Sequence, residues 1–176
     1  MKSGKVALCG MCAALATLFL LLTVVPVSEL GLPAVAGVML IPIVIELGRR
    51  YGLTVYVAVS LLALLLVPSW ESKLLFVGFF GYYPILKSLI ERMRKPVLEW
   101  VIKLGLFNAT VLLIYWILLS FLGLNAADFT IGGKAAYGLL LLLGNGVFIL
   151  YDVGLTQVIS RYVVTLSPRL RRLFRF

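Results

Sequence analysis

The pair Cys9-Gly-Met-Cys12 has the spacing of a thiol redox or metal motif. A CxxC does chemistry when its thiols are exposed at a helix N-terminus, or when two further ligands complete a tetrahedral metal site. The chain holds 2 cysteines and 0 histidines, so no metal site is expected at this pair and no cofactor elsewhere. The missing histidine also removes Ser/His/Asp hydrolases and His-ligated zinc proteases. With no paired acid motif and no phosphate loop of the G-x-x-x-x-G-K-S/T type, no enzyme is expected. A property of size remains. Ala7, Gly10, Ala14 and Thr17 recur at i, i+3, i+7 and i+10, and Cys9, Ala13 and Ala16 widen the stripe. In lipid such stripes let helix backbones approach, whether inside one bundle or against a partner.

The remaining chemistry rests on a few polar groups in apolar surroundings, each of which costs free energy in hydrocarbon. Glu46 has Arg49 and Arg50 at i+3 and i+4, and pairing with them accounts for it without a function. Asp152 lies about 13 Å from Arg161 along a straight helix. It pairs with Lys87 or Lys103, or it serves as a ligand or coupling-ion contact. Asn108 and Asn145 are amides that can bond across helices. Asn145 stands between Gly144 and Gly146, which opens a second possibility, a site residue in a loosened helix. The stretch "PSWESKLLFVGFFGYYP" sets Trp70, Glu71 and Lys73 beside Phe76, Phe80 and Tyr83 at i, i+4 and i+7. A stacking surface next to both charge signs suits a small amphipathic solute, and the same residues also suit an aromatic belt at headgroup depth.

The elements that carry these residues follow from hydropathy. The 176 residues are 62% hydrophobic and 13% charged, against roughly 25% charge in an average soluble domain. The composition predicts an all-α integral membrane protein forming one domain over residues 1–176. Apolar segments run from Val6 to Val27, Leu32 to Leu47, Tyr51 to Pro68, Leu74 to Ile90, Trp100 to Leu122 and Ala136 to Val164. That is six spans, the second short and interrupted by Pro33 and Pro42. The first segment is longer than a signal-peptide core and is expected to be retained.

With the N-terminus inside, only Lys73 and Lys134 fall on the outer side. The other basic residues, including a basic tail over 165–176, face the cytoplasm, which predicts a multi-pass inner-membrane protein with both termini cytoplasmic. The net charge of +9 is thereby confined to short loops and the tail, and no nucleic-acid surface is expected. The inner connection "KSLIERMRKPVLEWVIK" reads as an interfacial helix, or as helix ends bending at Pro96 with Trp100 at headgroup depth against the bilayer surface, or as a solvated loop that fixes topology.

Six helices in under 200 residues, a small-residue first helix and the stretch "IPIVIELGRRYGLTVYVAVSLLALLL" resemble the substrate-binding S component of an energy-coupling factor (ECF) vitamin transporter. The resemblance implies an S-component-like bundle that captures a vitamin-like micronutrient from outside, then docks with a transmembrane T subunit and two cytoplasmic ATPases. By position, it implies a substrate site drawing on Trp70, Glu71, Phe76, Phe80, Tyr137 and Asn145, with Asp152 a further candidate. It also implies docking through Ala7, Gly10, Ala13, Ala14 and Thr17. The family's Ala-x-x-x-Ala is represented here by Gly10-x-x-x-Ala14 and Ala13-x-x-x-Thr17, and Arg49-Arg50 replaces a small turn. A non-transport scaffold of the MreD type resembles the chain in size and helix count. It implies stable membrane partners and no small-molecule affinity.

Overall fold

The computed structural model describes residues 2–24, 31–121, 130–131, 134–135, 137–168 and 170. Among these residues the chain forms eight α-helices and one two-residue strand pair, Thr130–Ile131 with Lys134–Ala135. The helices are α1 (Lys2–Leu21), α2 (Gly31–Val38), α3 (Ile41–Glu46), α4 (Arg49–Leu66), α5 (Trp70–Leu75), α6 (Tyr83–Ile90), α7 (Pro96–Phe121) and α8 (Tyr137–Arg161). Five helical stretches are long and apolar enough to cross a bilayer: Ser3–Val24, Arg49–Leu66, Trp70–Met93, Pro96–Ile117 and Leu141–Leu166. The protein is α-helical and membrane-embedded. Its helices keep large apolar side chains on the outside, such as Leu65 at 81% exposure, as a lipid solvent permits.

The second apolar segment is the exception among the six. Gly31–Glu46 is too short to be counted with the five, spanning about 24 Å if it were straight, against a hydrocarbon core of about 30 Å. It also breaks at Met39–Leu40. Pro42 has no N–H to donate, and its ring crowds the carbonyl four residues back, so α2 and α3 cannot run as one helix. The next boundary is set by Gly48, whose φ of 91° favours glycine and lets α4 start immediately after α3.

Two compact units result, Met1–Leu89 with Gly154–Phe176, and Ile90–Val153. The core of the first is built from stripes at four-residue spacing. Leu8, Cys12, Ala16 and Leu20 of α1 share it with Val55, Val59, Ala63 and Val67 on and just after α4, joined by Ala36, Leu40, Ile43 and Phe76. Cys9 and Cys12 are free thiols, Cys12 inside this core and Cys9 packed against it. The second unit is an antiparallel pairing of α7 with the first part of α8, entered through a left-handed Arg94 (φ 55°) and Pro96 in the first turn of α7.

Candidate functional site

Between α5 and α6 the helix widens into a π turn over Phe76–Phe80, closed by Gly81 N–H donating to Phe76 O at 2.8 Å. Two contacts hold this turn. The Tyr56 hydroxyl on α4 donates to Val77 O at 2.7 Å. Gly37 of α2 approaches so closely that a Cβ there would overlap the carbonyl of Phe80. An irregular backbone stretch therefore lies against the broken helix pair α2/α3, and π turns and discontinuous helices concentrate at functional positions in membrane proteins.

Just N-terminal to this turn, Ser69 caps α5 by accepting from Ser72 N–H at 3.3 Å, and its hydroxyl reaches Glu71 Oε2 at 3.3 Å. Trp70 is half-exposed, and the buried Lys73 sets its ammonium 4.2 Å from the Trp70 ring centroid. A cation over a partly exposed indole stabilises by about 1 kcal/mol. Trp70 and Glu71 thus present an open aromatic face and an open carboxylate. Phe76 does not join them: it is 0% exposed, a member of the core, with its ring 6.3 Å from Tyr56. Phe80 is partly buried, edge-on to Phe79 at 5.4 Å.

The second unit contains a ladder of three rungs, whose partners descend α8 as they ascend α7. Lys103 Nζ bonds Asp152 Oδ2 at 2.9 Å, Phe107 stacks on Phe148 at 4.7 Å, and Asn108 exchanges hydrogen bonds with Asn145 at 3.0 and 2.9 Å. Each asparagine also donates to its own helix, at Leu104 O and Leu141 O. Both N–H donors of Asn145 are therefore used, and α8 runs unbroken through Gly144 and Gly146. The pair acts as interhelical adhesive. Lys103 also bonds Glu91 at 2.9 Å and lies 5.4 Å from the Trp100 ring centroid. Two carboxylates thus face one ammonium in a site where Lys103 and Asp152 are 4% and 3% exposed.

No family model, curated protein or solved structure matches the chain. The roles of these side chains are therefore read from their geometry. Trp70, Glu71, Phe76 and Phe80 belong to the first unit, Asn145 and Asp152 to the second. Tyr137 begins α8, but its side chain lies outside the described residues, as do 169 and 171–176 of the basic tail. Lys103 holds Asp152, one of the partners expected for it. Glu46 departs from expectation: it accepts from the Tyr162 hydroxyl at 3.4 Å, and neither Arg49 nor Arg50 makes a guanidinium contact among the described residues. On α1 the small residues divide: Ala7, Gly10 and Ala14 are exposed, Ala13 and Thr17 intermediate, and a Cβ on Gly10 would meet nothing within 4 Å.

Sequence reasoning missed Tyr56, Glu91 and Tyr162. Glu91 carried a signal, being an acidic residue within a basic connection with Lys103 twelve residues on. Tyr56 and Tyr162 carried none, because a tyrosine hydroxyl near a helix reads the same whether it bonds protein or headgroup.

Proposed function

We propose that this protein is the substrate-capture subunit of an ECF-type importer of a vitamin-like micronutrient, crossing the cell membrane six times with both termini cytoplasmic. In this reading α2 and α3 together make the short second crossing. The observation that carries it is the π turn Phe76–Phe80 braced by Tyr56 and Gly37, lying directly beyond Trp70, Glu71 and Lys73. Non-helical backbone is tolerated at membrane depth only where it is buried in protein or lines a cavity. Placed next to an accessible indole and carboxylate, it supports a site for a small solute carrying an aromatic or conjugated part and a polar end. The buried Phe76 belongs to the core behind this region, and the stacking face belongs to Trp70.

The exposed Ala7, Gly10 and Ala14 support docking of α1 against a T subunit that works with two ATPases, since small residues turned away from a protein's own core admit a second helix. Mass spectrometry of material carried through mild purification tests the reading: a co-purifying micronutrient, lost from Trp70→Ala, is the expected result. Protein that retains no small molecule and instead purifies with other membrane proteins of the cell envelope overturns it in favour of the scaffold.

A further inference from the structure

A cleft of about 860 Å³ opens in the first unit between the start of α4 and the end of α6. Arg49 and Arg50 line it at the first turn of α4, Leu53 follows one turn on, and Leu86 and Leu89 of α6 line it too. Tyr56 lies about 9 Å beyond Arg50 along α4. Every lining residue other than the two arginines is uncharged. The two guanidiniums make no ion pair or hydrogen bond among the described residues, although Glu46 lies only one turn away in sequence. The cleft is therefore graded, with two cations unpaired among the described residues at one end and Leu53, Ile85, Leu86, Leu89 and two tyrosines along the rest.

That order matches an amphiphile with an anionic head. We propose that the cleft binds an anionic phospholipid from the leaflet at the basic ends of the helices, its phosphate held by Arg49 and Arg50 and the start of an acyl chain against Leu53, Leu86 and Leu89. Guanidinium groups pair with phosphate oxygens through parallel N–H donors, a geometry that fixes a headgroup rather than merely attracting it. The apolar walls distinguish this occupant from a free phosphate ion, which would use the arginines alone. The site is separate from Trp70 and its neighbours, and it stands whether or not the protein carries a substrate.

The test is native mass spectrometry of the full chain, titrated with dioctanoyl phosphatidylglycerol and, separately, dioctanoyl phosphatidylcholine. The anionic lipid should bind more tightly. The double variant Arg49→Gln/Arg50→Gln should weaken it roughly thirtyfold, at about one headgroup contact per arginine, and weaken the zwitterionic lipid, whose phosphate is offset by its own choline, by less. Leu53→Trp, which fills the hydrocarbon wall, should weaken both lipids. Arg161→Gln, an exposed charge outside the cleft, should leave both unchanged. Three results overturn the proposal: undiminished phosphatidylglycerol binding in the double arginine variant, an equal loss in Arg161→Gln, or displacement of the lipid by an equal concentration of inorganic phosphate. The first places the lipid elsewhere, the second reduces the effect to diffuse attraction, and the third assigns the site to a free anion.

Discussion

Removing Lys103 should harm this protein more than removing either of its acidic partners. In Lys103→Met the Asp152 carboxylate, on a side chain 4% exposed, loses its 2.9 Å ammonium partner while it stays buried. Breaking a buried pair from one side costs about 3–5 kcal/mol. Asp152→Asn is milder because Lys103 keeps Glu91, also at 2.9 Å, and the amide oxygen still accepts a hydrogen bond. Loss of one buried charge-assisted bond suggests about 1.5–3 kcal/mol. Glu91 is 38% exposed on its side chain, so Glu91→Gln should fall within about 1 kcal/mol. The double variant Lys103→Met/Asp152→Leu removes both charges, and should be less destabilised than Lys103→Met alone. Equilibrium unfolding in mild detergent micelles ranks the four variants. If Asp152→Asn is as stable as the parent while a co-purified solute is lost, Asp152 serves a ligand rather than the fold. If Lys103→Met is no less stable than the parent, the reasoning about burial fails outright.

Three further outcomes are expected. Gly37→Leu should unfold or strongly destabilise the protein, because overpacking costs about 1–3 kcal/mol even against side chains and here the obstacle is the Phe80 backbone; a thermal melt matching the parent would show that the π turn yields. Gly10→Leu should leave the melt unchanged and block co-purification with a transporter module, since nothing lies within 4 Å of the new Cβ; assembly at parental yield would remove α1 from the docking surface. For topology, Glu71→Cys should react with an impermeant thiol reagent from outside and Arg92→Cys only after permeabilisation, both positions being exposed; the reverse pattern would invert the protein.

Long apolar runs were readable because a bilayer demands length and composition before anything else, and five of the six segments supply helices that meet the requirement. The weak second segment was also legible, since Pro33 and Pro42 announce a helix that cannot propagate. What a helix faces was harder to read. Small size marks Ala7, Gly10 and Ala14 as easily as Ala16, yet only Ala16 lies in the core, where it is joined by Leu8, Cys12 and Leu20 at four-residue spacing. Hydropathy does not separate a lipid-facing side from a protein-facing one when both are apolar. The aromatic series Phe76, Phe80, Tyr83 shares one face only on regular helical spacing, and the π turn breaks that spacing. Its cause is tertiary, a glycine on α2 and a tyrosine on α4, so no local pattern announces it. Asp152 and Lys103 were legible as a pair because charge in hydrocarbon has few resolutions. Glu91 is hidden in a connection whose many charges suit the bilayer surface and solvent equally well.

The π turn has a meaning for how this chain tolerates insertion and deletion. A residue added to a helix turns everything after it by about 100°. A π turn absorbs one such residue as a local widening, so both halves of the span Trp70–Met93 keep their faces, Trp70 and Lys73 in one half and Leu86 and Leu89 toward the cleft in the other. Losing a single residue between Val77 and Phe80 would restore an ordinary helix and leave Ile85, Leu86 and Leu89 in place. A residue lost well outside the turn would instead rotate one wall of the cleft by about 100°. In this span the effect of a one-residue gap is set by whether the widened turn can take it up.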